Sequence, residues 1–536
     1  MLKLNEKNIA TTHQKKINIL IVFIVTLSCL MGLWNFRLPG LQVDEVNHAA
    51  FVPGVLSQNA AQLHHYRLPD NYLDLEDGVY QYPIFGGSFY NSVVTTYLGL
   101  PFYEILGFSL SSIRFFHWVI GVLCVLLGSL LIVRFAGFLS AYFFATMIVT
   151  NPDFVFSLRS QGAFFWAVVL FALIGIYLLI RAHASINTNH KNWLVFFAGV
   201  FFACSLMSYF VGIFIILPIL VFAWYSFNKS KRYCLLLLCG LLIGYLPVIY
   251  AIISVYLINP YLLRHFGIPD FAILNHIPYL SFENLQRIWV IFKGSLSGFL
   301  FTKGIVGNFK DIIPDIRLII FIITTAFSFW FLSCRKYLIN QKALIATTSA
   351  MVIVYLIATF ALKALSFHHL LPLFFVLIMQ ISIFMSGRYF LKYLFIFLGL
   401  ILLLSNVNGL ILAHSALEKT GGLGYHNETF TQSAEKLKSE CDDCHPVFVS
   451  WGIHLQFLFL TDGKKQYSFL PHSTSDTLKD FIYEHKKIAL IGVSHDLEKF
   501  EFNPKEIIEF NSINLKQRNG VELYKIIMLR SVDNYR

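Results

Sequence analysis

The sequence predicts an α-helical polytopic membrane protein of about eleven transmembrane helices, followed by a small C-terminal α/β soluble domain. Three observations predict it. Hydrophobic residues make up 57% and charged residues 13% of 536 positions, with mean hydropathy +0.65, against roughly 25% charge in a typical soluble domain. Apolar runs of about 20 residues, the length that crosses a bilayer, recur through residues 1–413. Residues 414–536 then carry 15 of the 41 Lys and Arg and 17 of the 30 Asp and Glu, the composition of a chain folded in water.

The first run, Ile17 to Phe36 behind Lys15 and Lys16, is too long for a signal-peptide core and lacks a small-residue cleavage site, which predicts a retained span. Further runs fall near 113–133, 137–157, 163–181, 193–209, 211–227, 233–256, 318–334, 343–362, 370–387 and 393–413. Tyr209 to Gly212 interrupts a stretch too long for one crossing, so two spans are counted there. Lys15/Lys16, Arg134, Arg181/Lys191, Lys229/Lys231/Arg232, Arg335/Lys336/Lys342 and Arg388/Lys392 all land on one side, which the positive-inside bias makes the cytoplasm. Of the acidic residues only Glu6 falls there. The expectation is a multi-pass protein of the cytoplasmic (inner) membrane with a cytoplasmic N-terminus and segment 414–536 outside, or periplasmic. The formal charge of +11 sits in short clusters between spans, so membrane lipids and not nucleic acid are the expected partners.

Outer loops 37–112 and 257–317 complete the membrane domain. Within the first, Tyr97 to Leu106 is amphipathic but broken by Gly99, Pro101 and Gly107, and is expected to lie on the membrane and roof a site near Asp44. The terminal domain reads as a helix at 428–440, a strand Val447–Trp451, a helix at 477–487, a strand Ile488–Val493 and a hairpin closed by Arg518-Asn519-Gly520. Cys29, Cys124, Cys204, Cys234, Cys239 and Cys334 sit in or beside apolar segments as small hydrophobes. Cys441-Asp442-Asp443-Cys444-His445 fits a haem-attachment spacing, but no cytochrome-like helical pattern surrounds it, and a local disulfide is the reading taken.

The chemistry concentrates just past the first span, in Val43-Asp44-Glu45-Val46-Asn47-His48. Adjacent carboxylates beside hydrocarbon are costly, so Asp44 and Glu45 are candidate catalytic acids, with His48 on their face if the run is helical. Taken alone, the pair is better explained by a solvated turn, because acids are ordinary in loops outside the bilayer. Arg159, after Asn151-Pro152, is placed to hold a phosphate bidentately, or to snorkel beside Asp153. Arg114 and His117 open the second span on that side. His368-His369, before Leu370-Leu371-Pro372, could bind phosphate, move a proton or cap a helix.

Taken together, these residues resemble the GT-C membrane glycosyltransferases, which include protein O-mannosyltransferases and lipid A aminoarabinose transferases. The resemblance covers roughly 15–415 and rests on Asp44-Glu45 after the first span, Gly107 to Gly121 with Arg114, Asn151-Pro152 followed by Arg159, Phe197-Ala198-Gly199 to Pro218, and His368-His369-Leu370-Leu371-Pro372. It implies a GT-C-like catalytic domain over 1–413. The implied reaction moves a sugar from a polyprenyl-phosphate donor to a lipid, glycan or protein acceptor on the outer face, with inversion. Asp44 and Glu45 would be catalytic, and His48, Arg114, Arg159, His368 and His369 would bind substrate. The chain departs from the family at Ser205 to Tyr209, where a Lys is common, and in lacking a Tyr beside the His pair. No His, Asp or Glu spacing is specific for a metal, so no metal ligand is assigned and a divalent metal stays an open cofactor. The other classes weighed are a transporter or flippase, which would put charges at mid-span, and a non-catalytic membrane receptor.

Overall fold

In the computed structural model, residues 2–42, 94–258, 282–333, 339–361, 367–387 and 390–532 are described apart from short gaps, together with 45–46, 49 and most of 72–92. Asp44 and His48 lie outside the described residues, as do Cys441 and Cys334.

The predicted apolar runs fall on helices, except that the run 137–157 divides at Thr150-Asn151 before Pro152 into two shorter ones. After α1 (Leu2–Leu33) and α2 (Val94–Leu106) come α3 (Leu110–Ala136), α4 (Phe138–Val149), the short α5 (Pro152–Ser157), α6 (Gly162–Ala184), α7 (Thr188–Ser208), α8 (Gly212–Ser226) and α9 (Lys231–Ile258). The bundle continues through α10 (Phe282–Ser297), α11 (Leu300–Val306), α12 (Ile316–Ser333), α13 (Ile339–Ala361), α14 (Leu371–Phe384) and α15 (Phe390–Thr420). Six are long and apolar enough to cross a membrane: Thr12–Leu33 within α1, α3, Phe165–Ala184 within α6, α7, Lys231–Tyr250 within α9, and α15. Apolar stretches in α4, α8, α12, α13 and α14 are shorter. The chain is a multi-pass membrane protein.

Because lipid supplies no hydrophobic drive between helices, close packing has to, and small residues provide it. A Cβ on Gly199 of α7 would meet Leu237 O at 2.2 Å, and one on Gly240 of α9 would meet Phe196 O at 2.0 Å. These two helices can touch backbone to backbone only through glycine.

The last span runs past the expected end at residue 413, to Thr420. His414, Glu418 and Lys419 are polar enough to leave hydrocarbon but do not oppose helix; the helix stops where Gly421 turns left-handed, at φ +68°. The terminal domain follows: α16 (Glu428–Glu440), β5 (His445–Phe448), α17 (Ile453–Leu460), β6 (Ser468–Phe469), α18 (Ser475–His485), β7 (Lys487–Val493), α19 (Ser494–Leu497), β8 (Ile507–Lys516) and β9 (Glu522–Ser531). The sheet order is β6-β5-β7-β9-β8, with β5 parallel to β6 and β7, and β9 antiparallel to β7 and β8. Strand β7 is buried along its middle, as the apolar run Ile488–Val493 predicts. Cys444 is disulfide-bonded, while Cys29, Cys124, Cys204, Cys234 and Cys239 are free.

Two short hairpins lie between α1 and α2, β1 (Tyr72–Leu75) against β2 (Tyr80–Pro83) and β3 (Phe85–Ser88) against β4 (Asn91–Ser92). Helix α2 follows, with Ile105 and Leu106 exposed and Tyr103 buried, the two-faced pattern of a helix on a membrane surface.

Candidate functional site

Arg114 stands one turn into α3, which begins at a capping box made by Ser109 and Ser112. It is buried with 1% exposure. Its Nε donates to Glu45 Oε1 at 3.1 Å and its Nη2 to Oε2 at 3.5 Å. Nη1 donates to Phe36 O at 2.7 Å, and Nη2 also reaches Pro39 O at 2.8 Å, Gly40 O at 3.3 Å and Arg159 O at 3.4 Å. One guanidinium thereby binds both the carboxylate and the carbonyls of the turn that leads to it.

Glu45 is fully buried. Its backbone N–H donates to Gln42 Oε1 at 3.2 Å while the Gln42 N–H donates to Glu45 Oε2 at 3.3 Å, a reciprocal closure of the kind that starts helices. Burial pushes the carboxyl pKa up, and the Arg114 guanidinium opposes that shift. Tyr103 of α2 shares this environment: its hydroxyl is raised first by burial and then by Glu45, and it has no hydrogen-bond partner among the described residues.

Arg159 completes the group from the far side of α5, whose start is capped by Asn151 accepting from the Asp153 N–H at 2.9 Å. The last carbonyls of α1 have no partner within the helix. Arg159 supplies one: it donates to Gly32 O at 3.1 Å, Trp34 O at 2.5 Å, Asn35 O at 3.2 Å and Leu38 O at 3.3 Å. Three of the motifs picked from sequence, Glu45, Arg114 and Arg159, thus converge on the residues that leave the first span. The two arginines are engaged by carbonyl and carboxylate oxygens, which makes them anchors of the turn.

The terminal domain grips the same turn. The Gly40 N–H donates to His426 O at 2.8 Å and the Leu41 N–H to Thr431 Oγ1 at 2.8 Å. Asn35 Nδ2 donates to Glu418 Oε1 at 2.7 Å, and Arg518 pairs with Glu428 at 2.5 Å. A Cβ at Gly40 would lie 2.1 Å from Asn427 O, so the contact needs glycine. Phe459 of α17 packs edge-on against Tyr103 and Phe108, at 5.3 and 5.4 Å.

The histidine pair forms a separate cluster. His369, 6% exposed, has Nε2 at 3.0 Å from Tyr209 Oη, and the two rings stack at 5.7 Å. His368 lies against Phe165 and His369. No described contact joins this pair to Glu45. His117 Nδ1 lies 3.2 Å from Leu158 O. Sequence reading did not single out Tyr103, His414 or His426. His414 stacks on Trp34 at 4.1 Å, and burial followed by Arg114 lowers the His426 pKa to about 4. Lone histidines past the last span gave no spacing signal by which to find them. Among the described residues no group of three or more His, Cys, Asp or Glu could hold a metal.

The sequence matches no family model and no curated protein. Solved structures similar to it include ArnT from Cupriavidus metallidurans in the apo state, at 11% identity over 95% of this chain and 97% of that one, with a TM-score of 0.49. The chain resembles the Archaeoglobus fulgidus oligosaccharyltransferase to a similar degree, at 13% identity over 90% of this chain and 69% of that one, with a TM-score of 0.48.

Proposed function

We propose that this protein is a membrane glycosyltransferase that moves a sugar from a polyprenyl-phosphate donor to a lipid, glycan or protein acceptor at the outer face of the cytoplasmic membrane, with inversion. One observation carries the reading: the acid-bearing turn after the first span is clamped from three directions, by Arg114 through Glu45, by Arg159 through the carbonyls of 32–38, and by the terminal domain through Gly40 and Leu41. A turn that served only to leave the membrane would not require two buried guanidiniums, each of which costs several kcal/mol to desolvate.

The chemistry needs a carboxylate held at a fixed depth, because the anomeric carbon of a lipid-phosphate sugar is itself held there by its membrane anchor. Asp44 is assigned as the base that takes the acceptor proton as the acceptor attacks from the face opposite the phosphate. Glu45 is assigned the positioning role, holding Asp44 through the backbone. His48, His368 and His369 remain assigned to substrate, the last pair to the donor phosphate; Arg114 and Arg159 act on donor binding through the turn. The exported terminal domain is a wall of the same site.

The test is mass spectrometry of surface glycans, lipid A and envelope proteins from cells with and without the gene, paired with transfer from polyprenyl-phosphate sugars in membranes. Loss of one glycan that the membranes restore is the expected result. An unchanged envelope, with no transfer to any of the three acceptor classes, overturns the reading.

A further inference from the structure

Away from the acidic turn, a cavity of about 350 Å³ opens within the bundle. Its walls are apolar, with Leu173, Ile219, Met351 and Phe375 among them, and it is lined at one end by Arg134 and His183. Lys191 extends that basic end: its Nζ lies 5.4 Å from the centre of the Phe227 ring, itself part of the lining. Along α6 the lining runs from Val169 to His183, about 21 Å at 1.5 Å per residue. That is longer than one leaflet's share, about 15 Å, of a hydrocarbon core about 30 Å thick. A mostly apolar slot of this length with Arg134 and Lys191 at its mouth fits one extended hydrocarbon chain with an anionic head.

The slot's basic end is separate from the proposed reaction site. Arg114 and Arg134 stand on the same helix, α3, twenty residues apart, which is about 30 Å. A headgroup at Arg134 therefore sits one hydrocarbon thickness away from Glu45, in the opposite leaflet. We propose that this cavity binds an anionic membrane phospholipid, one acyl chain in the slot and the head at Arg134 and His183. The site is built from a different set of side chains than the acidic turn, and its occupant is not the sugar donor.

The full-length protein, reconstituted in bilayers of equal phosphatidylglycerol and phosphatidylethanolamine and released for native mass spectrometry, tests this. One phospholipid should stay bound, with phosphatidylglycerol preferred about fivefold, the effect of roughly one cation near a headgroup. The double variant Arg134→Gln/His183→Gln, both exposed positions, should bring that preference to about one. Ala172→Leu, which puts a larger side chain on the lining, should release the lipid while the double variant shows that the fold tolerates change at the mouth. Retention of both lipids equally by the unaltered protein, or retention undiminished in Ala172→Leu, overturns the proposal. Recovery of polyprenyl phosphate in place of phospholipid overturns it too, by giving the slot to the donor.

Discussion

Two buried acid–arginine pairs among the described residues are held differently. Glu45 and Arg114 meet at 3.1 Å with both side chains fully out of solvent, and the remaining Arg114 donors are aimed at backbone carbonyls of one turn. Asp153 and Arg317 approach only to 3.9 Å. Asp153 Oδ1 is taken by Thr302, at 2.6 Å from the hydroxyl and 3.2 Å from the N–H, and the Arg317 guanidinium lies over the Phe299 and Phe374 rings, at 4.0 and 5.2 Å. The first pair fixes backbone; the second joins helices side by side, α5 to α11 and α12. A pair that fixes backbone is what a reacting carboxylate needs next to it, whereas a pair that joins helices can move with them.

The comparison breaks most sharply at Arg114. Arg114→Ala leaves a carboxylate buried without its partner and frees three carbonyls of the turn and that of Arg159. A loss of about 3–5 kcal/mol is expected, seen as a large fall in thermal unfolding temperature and in protein abundance. Asp153→Asn keeps an acceptor for Thr302 and removes the charge beside Arg317, so a loss of about 1.5–3 kcal/mol is expected, with transfer retained at the surviving abundance. If the two variants are equally destabilised, the distinction between them fails.

A smaller effect is expected where the terminal domain meets the turn. Gly40→Ala drives a methyl into Asn427 O, and backbone must yield on one side. Hydrogen exchange should rise across 421–431 with little change in β7 and β9; unchanged exchange at 421–431 would show that the grip is not there. The smallest effect is on pH. The His426 pKa, about 4 in the folded protein, lies below the ordinary value of about 6.5, so the unfolded chain binds this proton more tightly. The contribution is fully present above about pH 6.5 and is lost as pH falls toward 4. His426→Gln should flatten that part of the decline in thermal stability, and an identical pH profile in the variant would remove His426 from the account.

Much of this was legible in the sequence, for identifiable reasons. Spans are set by apolar length, which a single chain displays, and the short, two-faced helix over Val94–Leu106 was legible as an amphipathic run broken by glycine and proline. Strand β7 and the Arg518-Asn519-Gly520 hairpin were equally plain. Helix α17 was not: Ile453–Leu460 is buried along its whole length, so it shows no alternation of apolar and polar faces to mark it. At the site, sequence found Glu45, Arg114 and Arg159 and offered the arginines as substrate ligands, with Arg159 alternatively snorkelling beside Asp153. In the structure Arg114 holds the Glu45 carboxylate, and both guanidiniums hold main-chain carbonyls of 31–40; which carbonyl a guanidinium caps depends on a tertiary approach no spacing encodes. The grip of Thr431 and His426 on residues 40 and 41 spans almost 400 positions of chain, and is invisible for the same reason.

The account stands or falls on the division of labour between two adjacent acids. Asp44→Asn and Glu45→Gln, each in membranes at matched abundance, should be compared in transfer from a polyprenyl-phosphate sugar alongside donor binding. General-base removal typically costs about 10²–10⁴-fold, so Asp44→Asn should lose that much turnover with donor binding unchanged, while Glu45→Gln should weaken stability and donor binding together and lose less turnover per folded molecule. Near wild-type turnover in Asp44→Asn would contradict the claim that this turn is the catalytic centre.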